Sequence, residues 1–415
     1  MWRSPASDSR SGIGAAIVAN VTLGGLLLAM WILEARWPAV YYRVIPEDAP
    51  IEWATFWAEF LAAAANALLA WRTRRGGIAA WWYCAGLALF CFGVAGEEIS
   101  WGQRLLGFQS PSYMLAHNVQ LETNIHNLFR PEVWSSGIYL LIAGFGLLAP
   151  LLLLLPGPAR LARRFSIYVP PASWTPGYAA VLAAYVFRPY HLCEEVVELA
   201  IGIGFVLAAV NELGARSEDS SSWGAPASRM AGTAALMLAL GIATTWATQN
   251  PPVDEAPRIA SAKAELEALR EDLVAMRQQR SGRFVTNCNL QARLHSLDRE
   301  QVLLPLLADG AFARLVATED PKRAKYLLDP WNMPYWISDQ CDSAARYIML
   351  FSFGPNRRRE STEWEAGGDD LSTYAFHLGT PRPGDWHALA REERAGRAGH
   401  VEKQEPAADG ETPGH

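Results

Sequence analysis

Carboxylate and histidine side chains are concentrated in three polar segments between long apolar runs of this 415-residue chain. The segments contain, in order, Glu97, Glu98, Ser100, Gln103 and Arg104; His117, Asn118, Gln120, Glu122, Asn124, His126 and Asn127; and His191, Glu194, Glu195 and Glu198. If the segments are helical, residues three, four or seven positions apart share a face, as Glu122 and His126 would. Carboxylates and imidazoles in such a pattern can ligate a divalent metal or serve as a general acid and base.

One hypothesis from this pattern is a metal-dependent hydrolase or transferase that acts on a lipid-borne substrate at the outer face of a membrane. Its candidate catalytic residues are Glu97, Glu98, Glu122, His126, Glu194, Glu195 and Glu198. An alternative is structural pairing, in which Arg104 and Arg188 neutralise neighbouring glutamates. A second alternative is a docking surface for the C-terminal domain. A transport path is disfavoured, because its ionisable groups would be spread through the bilayer rather than clustered near one edge.

The apolar runs predict a bundle of membrane-spanning helices. About 20 apolar residues are needed to cross the hydrocarbon core. Five runs qualify, at about 12–33, 53–71, 77–95, 136–155 and 229–248. A sixth stretch, 177–213, is too long for one span and has a polar centre, Arg188 to Glu198. We interpret it as two helices that meet there, which gives seven spans.

The distribution of arginine predicts the orientation of this bundle, because basic residues favour cytoplasmic loops. With seven spans and a cytoplasmic N-terminus, the arginine clusters all fall on one side. These clusters are Arg3 and Arg10; Arg72, Arg74 and Arg75; Arg160, Arg163 and Arg164; and Arg216 and Arg229. The chain is then expected in a bacterial inner membrane, with its C-terminal domain in the periplasm.

Cysteine usage and net charge are compatible with this orientation. Cys84, Cys91 and Cys193 lie in or beside spans, where a reduced cysteine behaves as a small apolar residue. Cys288 and Cys341 could form a disulfide in an oxidising compartment, or remain as two buried thiols. The net charge of −6 argues against nucleic-acid binding, which requires a basic surface. The expected partners are the lipid bilayer and envelope proteins.

The sequence after residue 250 predicts a small α+β domain. Residues 258–280 have an apolar helical face at Ile259, Ala262, Leu266, Leu269, Leu273 and Met276. This helix is too short for a stable coiled coil, so packing on the domain's own sheet is favoured. Asp329 and Pro330 predict a turn. Strands are expected from Tyr335, over 346–353 and from Leu371.

Four motifs in this domain follow one another in a characteristic order. They are Gly282-Arg283-Phe284-Val285-Thr286, Asp329-Pro330-Trp331-Asn332-Met333-Pro334-Tyr335, Ser352-Phe353-Gly354-Pro355-Asn356 and Asp369-Asp370-Leu371. With the preceding helix, they make residues 259–376 resemble the major pseudopilin of type II secretion systems. The membrane part resembles an uncharacterised family of multi-pass bacterial membrane proteins.

The pseudopilin resemblance implies calcium bound between the last two strands, with Asp369 and Asp370 as ligands. A solvated acidic loop is the alternative. The chain lacks the pseudopilin leader and its single membrane helix, so we expect the head to be a fixed extracytoplasmic module that binds a partner or serves secretion. The predicted divisions are a membrane domain at 1–250, a pseudopilin-like domain at 251–379 and a disordered tail at 380–415.

Overall fold

The computed structural model describes residues 9–45, 48–118, 121–128, 131–190, 192–216, 226–248, 255–279, 307–340, 346–358, 360–361 and 367–378. Cys288, Cys341, the first pseudopilin motif and the predicted tail lie outside these residues. The described chain is mostly helical, with one small antiparallel sheet near its C-terminal end.

Fifteen α-helices and three strands are present in the described residues. The helices are α1 Ser9–Arg36, α2 Pro38–Val44, α3 Pro50–Thr73, α4 Ile78–Glu98, α5 Gln103–Leu106, α6 Ser112–His117, α7 Pro131–Leu140, α8 Ala149–Leu152, α9 Pro156–Arg164, α10 Thr175–Phe187, α11 Cys193–Ala215, α12 Pro226–Thr248, α13 Ala256–Gln279, α14 Ala311–Val316 and α15 Pro321–Tyr326. A π-helix, Leu141–Leu148, joins α7 to α8. The strands are β1 Trp336–Gln340, β2 Arg346–Ser352 and β3 Leu371–Leu378.

Five helical segments of the described chain are long and apolar enough to cross a membrane: Gly12–Arg36, Pro50–Gly76, Ile78–Glu98, Cys193–Ala215 and Pro226–Thr248. A sixth crossing is possible if the bent pair Ser136–Leu152 and Pro156–Arg164, at 110°, counts as one span. Four of the five match the apolar runs at 12–33, 53–71, 77–95 and 229–248, and Cys193–Ala215 is the second half of the stretch 177–213. The predicted span at 136–155 falls in the bent pair instead. A count of seven would require α10, whose 13 residues reach only about 20 Å, to cross as well.

The long stretch 177–213 is two helices, as its polar centre predicted. α10 ends at Phe187 and α11 begins at Cys193. Arg188 (φ 42°) and Leu192 (φ 51°) both adopt left-handed backbone conformations at this break. A helix cannot continue through such residues, so the chain changes direction between α10 and α11.

Helix α11 lies at the centre of the bundle, and 78% of its most apolar window is buried. It packs against α3, which also contacts α4 and α12. Gly202 and Gly204 allow close approach: a Cβ at Gly202 would lie 3.1 Å from the Cβ of Ala58. Cys84, Cys91 and Cys193 are buried free cysteines in this core, as expected.

In the C-terminal part, called the head below (residues 255–378), α13 packs on the sheet and α14 packs on α13. The strand order is β1-β2-β3, with both pairings antiparallel, and Ile337 faces Leu350 in the register. The predicted face of α13 is buried at Ala262, Leu266, Leu269 and Leu273. The helix therefore packs on its own domain, as expected, rather than in a coiled coil.

The Asp329–Tyr335 corner is held by one buried carboxylate. Asp329 accepts hydrogen bonds from the backbone N–H of Trp331 and Met333, both at 2.9 Å, and from Ser352 Oγ at 2.5 Å. Burial raises the pKa of Asp329 to about 6. The carboxylate ties the turn predicted at Asp329 and Pro330 to the end of β2.

A long connection after α4, called the docking loop below (residues 99–128), contacts the head. Its residues Leu115, Ala116 and Leu121 belong to the same buried apolar cluster as Leu266 and Tyr335. Lys322 Nζ donates to the backbone oxygen of Ser110 (2.6 Å), and Asn332 Nδ2 donates to that of Gly107 (3.2 Å). The docking loop therefore contributes side chains to the core of the head.

Candidate functional site

The structure separates the predicted acidic and histidine residues into three groups. One group forms hydrogen bonds within the docking loop, and a second connects the first residues of that loop to its last residues. A third group lies in the helical bundle. No three described members of the set bring ligand atoms within 4.8 Å of one another; the described residues meet that condition only at Glu360, Asp369 and Asp370. The single convergent site that the sequence suggested stays a prediction without this geometric support.

Glu122 belongs to a buried polar network inside the docking loop. Its Oε2 accepts from Ser100 Oγ at 2.5 Å and from Asn124 Nδ2 at 3.1 Å. Asn118 Nδ2 donates to Asn124 Oδ1 at 2.7 Å, and all four side chains are at most 5% exposed. Buried polar groups need such partners, so this network fixes an otherwise irregular backbone.

A second buried contact set involves Gln103. Its Oε1 accepts from Ser110 Oγ at 2.9 Å and from the backbone N–H of Thr123 at 2.7 Å. The backbone oxygen of Ser110 also accepts a hydrogen bond from Lys322 of the head, so these contacts connect the docking loop to the head. The arrangement supports the docking-surface alternative.

Glu97 closes the docking loop where it leaves α4. Its Oε2 accepts from the backbone N–H groups of Ile125 (2.5 Å) and His126 (2.9 Å), and its Oε1 accepts from Trp101 Nε1 (2.7 Å). His126 Nδ1 lies 3.4 Å from Glu97 Oε2. Each oxygen of Glu97 therefore has a role in holding the loop.

The sequence suggested that Arg104 and Arg188 neutralise neighbouring glutamates, and the structure describes only the Arg188 side chain. Arg188 lies with its guanidinium 5.9 Å from the ring centroid of Tyr185. The side chain of Arg104 and the whole of His191 and Gln120 lie outside the described residues. Glu194 is half-buried in the first turn of α11.

The bundle group consists of Glu98, Glu195 and Glu198. Glu98 ends α4, whereas Glu195 and Glu198 lie one helical turn apart near the start of α11. The charges of Glu198 and Glu195 act on Glu98, and so does that of Glu59 on α3. Sequence reasoning missed Glu59 because one acid leaves a long apolar run still apolar on average.

The most compact acidic cluster is in the head, at Glu360, Asp369 and Asp370. Ligand oxygens of these three half-buried residues lie within 4.8 Å of one another. Asp369 and Asp370 were expected from the pseudopilin resemblance. Glu360 was missed because it comes ten positions earlier, beyond Arg357–Arg359, where the sequence suggested a basic loop.

Backbone N–H groups orient the carboxylates of this cluster. Asp370 Oδ2 accepts from the N–H of Ser361 at 2.6 Å and of Glu360 at 3.1 Å. Asp369 N–H donates to Glu360 Oε2 at 2.9 Å. The remaining oxygens, Asp369 Oδ1 and Asp370 Oδ1, are buried and have no hydrogen-bond partner among the described residues.

Electrostatics in the head cluster favour a bound cation or bound protons. Burial, followed by the nearby charge of Glu360, raises the pKa of Asp369 to about 7. Burial also raises the pKa of Asp370 to about 7, although hydrogen bonds from Ser361 and Glu360 oppose the shift. Three carboxylates this close repel one another unless positive charge is added.

Comparison of the chain with protein-family models, with curated proteins and with solved structures found no match. The fold and the geometry described above are therefore the basis for inferring function.

Proposed function

We propose that this chain is a multi-pass protein of the bacterial inner membrane that presents a calcium-binding, pseudopilin-like head in the periplasm. The head serves as a partner-binding or secretion-related module on the outer face of the bundle. The observation that carries this proposal is the convergence of Glu360, Asp369 and Asp370 in the loop between β2 and β3.

The chemistry of the cluster fits calcium. Calcium prefers several hard oxygen ligands, including carboxylates and backbone carbonyls, in a flexible arrangement. Glu360, Asp369 and Asp370 would hold the ion. Asp369 Oδ1 and Asp370 Oδ1, which are buried and have no hydrogen-bond partner in the described part of the chain, supply acceptor capacity for it. Calcium would neutralise the mutual repulsion of the three carboxylates.

The cluster is also connected to the membrane domain through neighbouring residues. The backbone N–H of Asn356 donates to Asp369 Oδ2 at 3.3 Å. The next residue, Arg357, packs so closely on Gly107 that a Cβ there would lie 2.4 Å from a guanidinium nitrogen. Arg358 Nη2 donates to the backbone oxygen of Arg43 at 3.3 Å. A calcium ion would therefore stabilise the loop by which the head contacts the bundle.

The experiment titrates the full chain in lipid nanodiscs with calcium. Isothermal calorimetry measures binding, and thermal unfolding measures the stability of the head. With free calcium at a hundred times the Kd, the free energy of unfolding should rise by about 2.7 kcal/mol. Asp370→Asn should abolish both signals. Glu267→Gln, at an exposed carboxylate of α13, is the matched control and should bind calcium normally.

Absence of any calcium response in the parent protein at neutral pH would end the calcium assignment. A response that persists in Asp370→Asn would place the ion elsewhere. An equal response to magnesium would argue for a non-selective acidic surface, because magnesium needs a stricter octahedral geometry than calcium.

A further inference from the structure

A carboxylate lies deep inside the helical bundle, at Glu59. It is the tenth residue of α3, so it lies about 14 Å along the helix from Pro50 at a rise of 1.5 Å per residue. Its side chain is 2% exposed. Ionisable residues inside membrane helices are costly and typically functional.

The surroundings of Glu59 are closely packed. Its Oε1 lies 3.2 Å from the position that a Cβ at Gly202 of α11 would occupy. The thiol of Cys91 on α4 interacts with the carboxylate. Oε2 is buried and has no hydrogen-bond partner among the described residues. Ionised Glu59 would be a buried charge with an unsatisfied oxygen, which is strongly unfavourable.

A second buried polar group lies in the helical bundle, at Tyr178. Tyr178 of α10 is 2% exposed, and its hydroxyl has no hydrogen-bond partner among the described residues. The hydroxyl packs against Gly204 of α11. The bundle therefore holds two buried polar groups for which the described residues supply no hydrogen-bond partner.

A line of acidic residues connects Glu59 to the end of the bundle that faces the head. Glu195 and Glu198 precede Gly202 at three- and four-residue steps on α11, so all three share one helix face. Glu98, at the end of α4, interacts electrostatically with both glutamates and with Glu59. The acids thus extend from the head side toward the middle of α3.

We propose that Glu59 is a proton-binding site of the bundle, and that Glu98, Glu195 and Glu198 form the route by which protons reach it from the head side. Glu59 takes up one proton from water through these carboxylates and becomes a neutral carboxylic acid. The proton leaves by the same route, so the step needs no other reactant.

The geometry favours a proton over a metal ion. No three of these carboxylates, all described, bring ligand oxygens within 4.8 Å, so they do not form a compact metal cage. Spaced acids can pass protons one at a time without such a cage. The Cys91 thiol of α4 interacts directly with Glu59, and the carboxyl of Glu98 and the hydroxyl of Tyr178 also interact with its charge.

Infrared difference spectroscopy of the full chain in nanodiscs, between pH 5 and pH 9, tests the proposal. The Cys91 S–H stretch, identified by its loss in Cys91→Ala, should shift in frequency as Glu59 ionises. One protonated-carboxyl band should be lost over the same pH range. Glu59→Gln should remove both changes. Glu52→Gln, seven residues earlier on the same helix face, is the matched control and should retain them.

Three results would overturn the proposal. The first is a Cys91 S–H band in the parent protein that does not change with pH, a result that holds even if Glu59→Gln fails to fold. The second is a band that responds to sodium at constant pH rather than to pH, since this would make the location a metal-cation site. Persistence of the carboxyl band in folded Glu59→Gln would likewise assign the proton to another residue.

Discussion

Glu265→Gln tests how much a buried charge network stabilises the head, by comparison with a substitution of an exposed charge. Glu265 lies on α13 and is 2% exposed. Its Oε2 accepts from Arg323 Nη2 at 2.5 Å and from the hydroxyl of Tyr335 at 2.8 Å. Ser261 Oγ donates to the other oxygen at 2.7 Å. This carboxylate joins the long helix to the Asp329–Tyr335 corner.

The expected cost follows from what the substitution leaves behind. Arg323 is 8% exposed, so a neutral residue 265 would leave its positive charge buried and without that carboxylate. Breaking a buried ion pair from one side costs about 3–5 kcal/mol. Glutamine keeps the shape and can still accept one hydrogen bond, which places the expected loss near 3 kcal/mol, at the lower limit.

Hydrogen–deuterium exchange of the full chain in nanodiscs measures this loss locally. A loss of about 3 kcal/mol corresponds to roughly a hundredfold faster exchange of the β2 and β3 amides. Glu267→Gln is the control two residues further along α13; its carboxylate is 51% exposed and its exchange should not change. Exchange in Glu265→Gln no faster than in the control would refute the reasoning.

Four further outcomes are expected. Gly354→Ala should destabilise the loop between β2 and β3 and weaken calcium binding, because Gly354 has φ 69° and a Cβ would lie 2.4 Å from the backbone oxygen of Asp369; calorimetry and thermal unfolding measure both effects. Without calcium, the head should lose stability as pH rises from about 4 to about 7, because the folded pKa of Asp370 is raised to about 7 from 3.8, and calcium affinity of the parent protein should rise over the same interval. Asp370→Asn should make the stability curve less steep without flattening it, because Asp369, whose pKa is also raised to about 7, still titrates. Leu115→Asp should speed exchange in the docking loop and in α13, since Leu115 is fully buried in the head core; Leu106→Asp, at a residue 77% exposed, should not. A periplasm-specific reporter fused after His415 should be active, and an active cytosolic reporter there would contradict the orientation.

The sequence alone determined those helices and turns that depend only on residues near one another in the chain. Apolar runs of about 20 residues identify helices that can cross a membrane, because the bilayer core has a fixed thickness. The three-and-four spacing of Leu266, Leu269 and Leu273 determined which face of α13 packs, and Asp329 and Pro330 determined a turn. The two helices around Arg188 were likewise recognisable from the polar residues between apolar runs.

The tertiary structure decided which acidic residues share a location. The six candidate glutamates and His126 offered the same chemistry, yet Glu97 and Glu122 fold the docking loop while Glu98 interacts electrostatically with Glu195 and Glu198. That division depends on where α4 ends relative to α11, which is a long-range contact that no local pattern records.

Glu59 and Glu360 are acidic residues that the sequence did not single out, although the structure places each of them in a candidate site. Glu59 did not stand out in its apolar run, and its importance comes from the packing of α4 and α11 around it. Glu360 is separated from Asp369 and Asp370 along the chain and meets them only because the loop after β2 folds back on the start of β3. Sequence fixes the charge and the local conformation of each residue, whereas packing between distant segments decides which charges must share a site.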